Sequence, residues 1–178
     1  GSNFKYVIMD YSSDGTVENK YTERQIGAFK KRGITPICYL SIGEAEDYRF
    51  YWNEKWKYKK NQPTWLYKEN EEWKGNYKVK YWEEDWQKLI FAYIDDIVKT
   101  GYMGVYLDIV DAFEYFHYDE GFELEFTSGE MIDFVVAITE YAREKSGNQD
   151  FMVIIQNAEA IVEQDKDSLL MNAVSGIG

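Results

Sequence analysis

GVYLDIVDAFEY, residues 104–115, reads as a strand that runs through the core, stops on a carboxylate and meets a second carboxylate three residues later. Gly104-Val105-Tyr106-Leu107 suits a strand covered on both faces, as strands of parallel sheets are. Asp108 and Asp111 do not, because an unpaired buried acid is costly. Both demands are met if the acids stand at the rim of a sheet and face a cleft.

The rest of the chain repeats this grammar. FKYVIMD (4–10) is a first strand ending at Asp10, followed by the turn-like YSSDGT that begins with Tyr11. Thr22 with Gln25 three residues on is a capping box, and a helix through ERQIGAFKKRG closes on Gly33. TPICYLSIG (35–43) is a second strand running up to Glu44, NYKVKYW (76–82) a third, and residues 104–108 a fourth. EEDWQKLIFAYIDDIVKTG (83–101) is an amphipathic helix that ends at Gly101. Thr127 and Glu130 form a second capping box, opening a helix through MIDFVVAITEYAREKSG; FMVIIQNAE (151–159) is a fifth strand; a helical segment around 160–171 leads to NAVSGIG, the start of a sixth. Alternating apolar runs and amphipathic helices predict βαβ units around a parallel sheet. The polar residues cluster at the C-terminal strand ends, Asp10, Glu44, Asp108 and Gln156-Asn157-Glu159, which is the ligand edge of parallel α/β folds.

Bulk properties narrow the partners. The chain has 178 residues, 45% of them hydrophobic, enough for one domain with a real core. No apolar run is long enough to span a bilayer. A net charge of −12 repels phosphate backbones, so nucleic acid is a poor partner. The one cysteine, Cys38, lies in an apolar run and reads as a buried thiol. Neither GxGxxG nor GxxxxGK[ST] occurs, so no nucleotide cofactor is signalled. His117 is the single histidine, which removes a His-rich zinc site; an oxygen-only Mg²⁺ or Ca²⁺ site from Asp10, Glu44 and Asp108 stays open. Gly1-Ser2 reads as a cleavage scar.

All six tryptophans (Trp52, Trp56, Trp65, Trp73, Trp82, Trp86) fall between residues 52 and 86, in what reads as a long loop with one short helix near EDYRFYW. Indoles stack on sugar faces and attract cations, but a long loop also needs large side chains to bury. At least half are expected to serve the loop, and Trp52 and Trp82, nearest the strand ends, are the cleft candidates.

The motifs YLSIGEAEDYRFYW (39–52), GNYKVKYW (75–82), GVYLDIVDAFEY (104–115) and IIQNAE (154–159) resemble, in order and over nearly the whole chain, glycoside hydrolase family 114, the endo-α-1,4-polygalactosaminidase-like proteins related in name to cysteinyl-tRNA synthetases. The resemblance implies a TIM-type (β/α) barrel, here a single domain over 1–178 truncated after about six strands, and no cofactor. It implies a secreted or cell-surface setting, with any signal peptide removed, and a polysaccharide substrate. The family motif usually runs on as IPQNGE, so Ile155 and Ala158 are mild variants. The family's general acid/base follows the VSG strand; this sequence stops at Gly178, before that place.

Glycoside hydrolysis commonly uses two carboxyl groups flanking the scissile bond. The resemblance assigns Asp108 as nucleophile, with Tyr106 or Asn157 orienting it. Glu159 stands in as acid/base, although a first-turn helix glutamate favoured by the dipole reads equally well. Asp10, Tyr11, Glu44, Trp52, Trp82, Tyr106, Asp111, Gln156 and Asn157 are expected to bind substrate. Against these stand plainer roles: an Asx turn at Asp10, a surface charge at Glu44, a loop acid at Asp111, and amides bonding backbone at 156–157. The expected function is cleavage of a galactosamine-containing polysaccharide. A partly deacetylated polymer is cationic and would be drawn to this acidic chain, less so at high salt. The alternatives are a non-catalytic carbohydrate-binding barrel and an oxygen-ligated, metal-dependent deacetylase.

Overall fold

The computed structural model describes residues 4–178. In chain order the elements are β1 (Tyr6–Met9), α1 (Glu23–Lys31), β2 (Thr35–Ser41), β3 (Glu44–Glu46), β4 (Leu66–Glu69), β5 (Asn76–Val79), α2 (Glu84–Thr100), β6 (Gly104–Asp108), α3 (Ala112–Tyr118), α4 (Leu124–Ser146), β7 (Met152–Ile155), α5 (Leu169–Ala173) and β8 (Gly176–Ile177). Short 3₁₀ turns cover Glu54–Lys57, Lys59–Asn61 and Glu159–Glu163.

Five strands pair in parallel in the order β1-β2-β6-β7-β8. Register divides their side chains into two layers. Met9, Cys38, Val105 and Val153 lie side by side, as do Leu40, Leu107 and Ile155; apart from Met9 all are fully or almost fully buried, in one core with the helices. The opposite face carries the row Tyr39, Tyr106, Ile154, half-buried, with Ile8 and Tyr6 exposed at the β1 edge. A parallel sheet with helices on one side and a more open inner face is the wall of a (β/α) barrel.

α2 shows why the helices sit where they do. Trp86, Ile90, Tyr93, Ile94 and Ile97 form its buried stripe, and Gly101, at φ +95, ends it in the left-handed conformation. Trp86 is completely buried, and its indole N–H donates to the Ile42 carbonyl at 2.9 Å. Burial of such a ring contributes about 3 kcal/mol.

The tryptophan-rich region departs from the sequence reading. Part of it is a second, antiparallel sheet in the order β3-β5-β4, while residues 47–65 are turns and 3₁₀ segments, as a loop reading requires. The expected third barrel strand over 76–82 ends at Val79 and belongs to this small sheet, so the parallel sheet has five strands and not six. Within EDYRFYW turns close from Arg49 N–H to Glu46 O and from Trp52 N–H to Arg49 O, while Phe50 N–H donates to Gly15 O, and the short helix is the 3₁₀ segment Glu54–Lys57 just after it. α4 starts at Leu124, three residues before the expected cap. Thr127 and Ser128 turn their hydroxyls back onto the Leu124 carbonyl, so they lie inside the helix.

Candidate active site

A cavity of about 850 Å³ opens where β2 and β6 end, and is walled by the small sheet on one side and α3 on another. β2 and β6 are knitted together at this point. Ile42 N–H donates to Asp108 O at 3.1 Å, and a Cβ on Gly43 would stand 2.1 Å from Ile109 O, so only glycine fits there. The chain then turns sharply: Ile109 has φ +59 and Asn157, at the end of β7, φ +56. A β-branched residue at positive φ is strained by about 1–3 kcal/mol, and such strain collects where a side chain must be aimed.

The residue aimed here is Asp108. Its Oδ2 accepts a hydrogen bond from Tyr39 Oη at 2.5 Å, and its Oδ1 is buried without a partner among the described residues. Burial, and then the bond to Asp108, push the Tyr39 pKa upward, so the phenol keeps its proton and donates. Asp108 is thus gripped on one oxygen and left buried and unpaired on the other. Asp111 lines the same cavity from the start of α3, with its pKa raised to about 6; burial is the main cause, Asp108's charge adds to it, and Lys78 opposes it. A carboxyl titrating there is able to hold or release a proton near neutral pH.

Three other acids of the region, Glu44, Glu46 and Asp10, are bound to cations. Glu44, 1% exposed, accepts from Lys78 at 2.6 Å and from the amides of Asn70 and Asn76 at 2.8 and 3.1 Å. Arg49 is buried between Glu46 and Asp10, both at 2.5 Å. Burial pulls its pKa down, and the bond to Asp10, with Tyr93 and Glu46, more than reverses this, so the guanidinium stays charged. Neither Arg49 nor Glu46 was singled out from the sequence. Their i,i+3 spacing is ordinary, and Asp10 lies 39 residues away in sequence.

Of the sequence-derived site residues, Asp108, Asp111, Glu44 and Asn157 share the cavity. Asp10 lines a small neighbouring recess with Tyr39, Glu46 and Tyr48. Tyr106 is half-buried beside Tyr39 on the inner face. Gln156 is half-buried, with its backbone N–H on Leu107 O. Four residues are placed away from the cavity. Tyr11 is fully buried with its hydroxyl on Asp96. Trp52 packs on Trp56 and Tyr77, and Trp82 on Phe116, Phe122 and Phe126. Glu159 is exposed on its 3₁₀ turn. The tryptophan that does line the cavity is Trp73, on the β4–β5 turn. Asp10, Glu44 and Asp108 are not gathered into a ligand set, and no group of three or more His, Cys, Asp or Glu suited to a metal ion occurs among the described residues. No helix there is long and apolar enough to cross a membrane.

Comparison with known proteins bears on the fold and the family. An uncharacterized protein of Methanocaldococcus jannaschii is 52% identical over 175 residues, covering 98% of this chain and 49% of that protein. One from Thermotoga maritima is 41% identical, covering 98% and 53%. The chain therefore spans about half the length of the curated relatives it matches. Among solved structures, Aspergillus fumigatus Ega3 in complex with galactosamine superposes with a TM-score of 0.66 at 18% identity, covering 98% of this chain and 65% of that one. The glycoside hydrolase domain of PelA from Pseudomonas aeruginosa gives 0.71 at 15% identity, covering 98% and 59%. These likenesses agree with the barrel wall described above. The model of glycoside-hydrolase family GH114 matches residues 3–174, and the chain belongs to that family.

Proposed function

We propose that this chain carries the nucleophile and much of the substrate cleft of a glycosidase acting within a galactosamine-containing polysaccharide. The observation that carries this reading is Asp108, which ends a central parallel strand at an acid-lined cavity, pinned by Tyr39 on one oxygen and bare on the other. Tyr39 fixes the carboxylate that attacks the sugar or activates water. Family membership supports the reaction class, and the galactosamine bound to Ega3 supports the sugar.

The cavity chemistry agrees with an amino sugar. Acidic side chains outnumber the two lysines of the lining, Lys74 and Lys78, and Lys78 is neutralised by Glu44. Partly deacetylated polymer, carrying ammonium groups, is complementary to that field. A polymer is too large to cross a bilayer, which supports a setting outside the cell or on its surface.

The proton donor fits the carboxylate that the family resemblance places just after the VSG strand. β8 pairs beside β7, so this strand's end opens on the same sheet edge as Asp108. Glu159, exposed outside the cavity, suits that task less well, and Asp111, half-protonated near pH 6, sits where it tunes the local charge.

The test is reducing-end release from partly deacetylated α-1,4-polygalactosamine by the protein and by its Asp108→Asn variant. Release that disappears with Asp108→Asn is expected. Binding without cleavage by the unaltered protein would move the assignment to a carbohydrate-binding barrel, a reading favoured by one observation, the placement of Glu159 away from Asp108's cavity.

A further inference from the structure

Five of the six tryptophans are locked into aromatic clusters. Trp52, Trp56, Trp65 and Trp86 form a continuous series, and Trp82 sits among Tyr81, Phe116, Phe122 and Phe126. Trp73 has no aromatic partner among the described residues and is 68% exposed, yet it lines the cavity. A second large ring on the same lining, Tyr118 at the end of α3, is 74% exposed. One exposed aromatic residue is unremarked on any surface. Two on the rim of one acidic cavity, contributed by separate elements, are a different matter.

Both are mounted on braced backbone. Asn70 Oδ1 accepts from the backbone N–H groups of Glu72 and Trp73 at 3.0 and 3.3 Å, while its Nδ2 grips Glu44 at 2.8 Å, which ties the Trp73 turn to the cavity wall. Asn76 N–H closes the same turn on Trp73 O at 3.0 Å. Beyond Tyr118, Glu120 accepts from Tyr67, Lys68 and Tyr115, each at 2.6 Å, and so anchors the end of α3 to β4. The two rings are thus carried on braced backbone, and a backbone ordered in advance lowers the entropic cost of binding.

Resting on the polysaccharide-hydrolase reading, we propose that Trp73 and Tyr118 are sugar-stacking side chains at the cavity rim that hold pyranose rings of the chain beyond the unit being cleaved. An aromatic face covers the C–H face of a pyranose, and the neighbouring acids Glu72 and Asp119, which line the same cavity, draw ammonium groups toward the rings. The rim then selects for polymer length, because a short oligosaccharide fills the cavity without reaching it.

The experiment compares Trp73→Ala, Tyr118→Ala and Trp73→Phe with the unaltered protein on partly deacetylated α-1,4-polygalactosamine. Expected is a rise in KM of roughly 10-fold for each alanine variant, with kcat moving far less than KM and Trp73→Phe recovering most of the loss. KM values equal to that of the unaltered protein would overturn the proposal. If the unaltered protein cleaves nothing, the hydrolase reading falls by itself, and migration through a gel containing the polymer decides the stacking. Retardation lost in the alanine variants supports it; retardation unchanged in them, or absent from the unaltered protein, overturns it.

Discussion

Two acidic corners meet in this molecule and are furnished in opposite ways. In one, Glu44, Glu46 and Asp10 surround Lys78 and Arg49, and each carboxylate has a cation. In the other, Asp108 has one tyrosine on one oxygen, nothing on the second, and on the same cavity Asp111, whose pKa is raised to about 6 mainly by burial. Buried charge is tolerated only when it is paired and hydrogen-bonded. The answered corner holds the small sheet, the 47–51 turns and the end of β1 together. The unanswered corner is where the proposed reactivity sits, because its neighbours leave Asp108 unsatisfied.

Substitutions should separate the corners by readout. Asp108→Asn is expected to lower kcat by about 10⁴-fold or more, on the scale of losing a residue of a catalytic unit, with Tm within a degree or so of the unaltered protein; retained activity would dissolve the contrast. Arg49→Met should act the other way, leaving Asp10 and Glu46 facing each other and costing about 3–5 kcal/mol of stability in urea titration. A Tm unchanged by that variant would show that Arg49 binds nothing essential. Tyr39→Phe straddles the two: removal of one charge-assisted hydrogen bond predicts a loss in kcat of about 10–100-fold, with stability close to that of the unaltered protein.

The smallest effect sharpens the comparison with pH. Asp111 has a folded pKa of about 6, above its ordinary carboxylate value. Its contribution to stability is complete below the unfolded value and is lost as pH rises through about 6, because the folded state must then carry a partly buried charge. Asp111→Asn should therefore stabilise the protein at pH 8, by about 1 kcal/mol once solvent screening is allowed for, and leave it unchanged at pH 4. Thermal melts at both values check the sign.

The sequence made the parallel core legible wherever a periodic pattern and a cap agreed. α2 and Gly101, the Thr22–Gln25 capping box of α1, and the strand ending at Asp108 all stand as read. Asp108, Asp111, Glu44 and Asn157 also reach one cavity as a shared sheet edge predicts. What escaped was non-local. The β3-β5-β4 sheet is built from strands of three or four residues, one pairing with a register shift, too short to show a period. Thr127-x-x-Glu130 has the letters of a cap, yet a helix already under way absorbed it, because the hydroxyl found the Leu124 carbonyl. Proximity to strand ends favoured Trp52 and Trp82 over Trp73, but exposure depends on which rings pack together, and no spacing rule encodes that.

The indole series Trp52, Trp56, Trp65 and Trp86, with ring centres 5.3, 5.1 and 4.8 Å apart, has an optical consequence. Rings so close and so fixed in orientation couple their electronic transitions, and excitation absorbed by one migrates to the others. The near-ultraviolet circular dichroism of this protein therefore belongs to the series as a whole and reports the packing of the small sheet against α2, while Trp73 emits from water as a separate, red-shifted fluorophore.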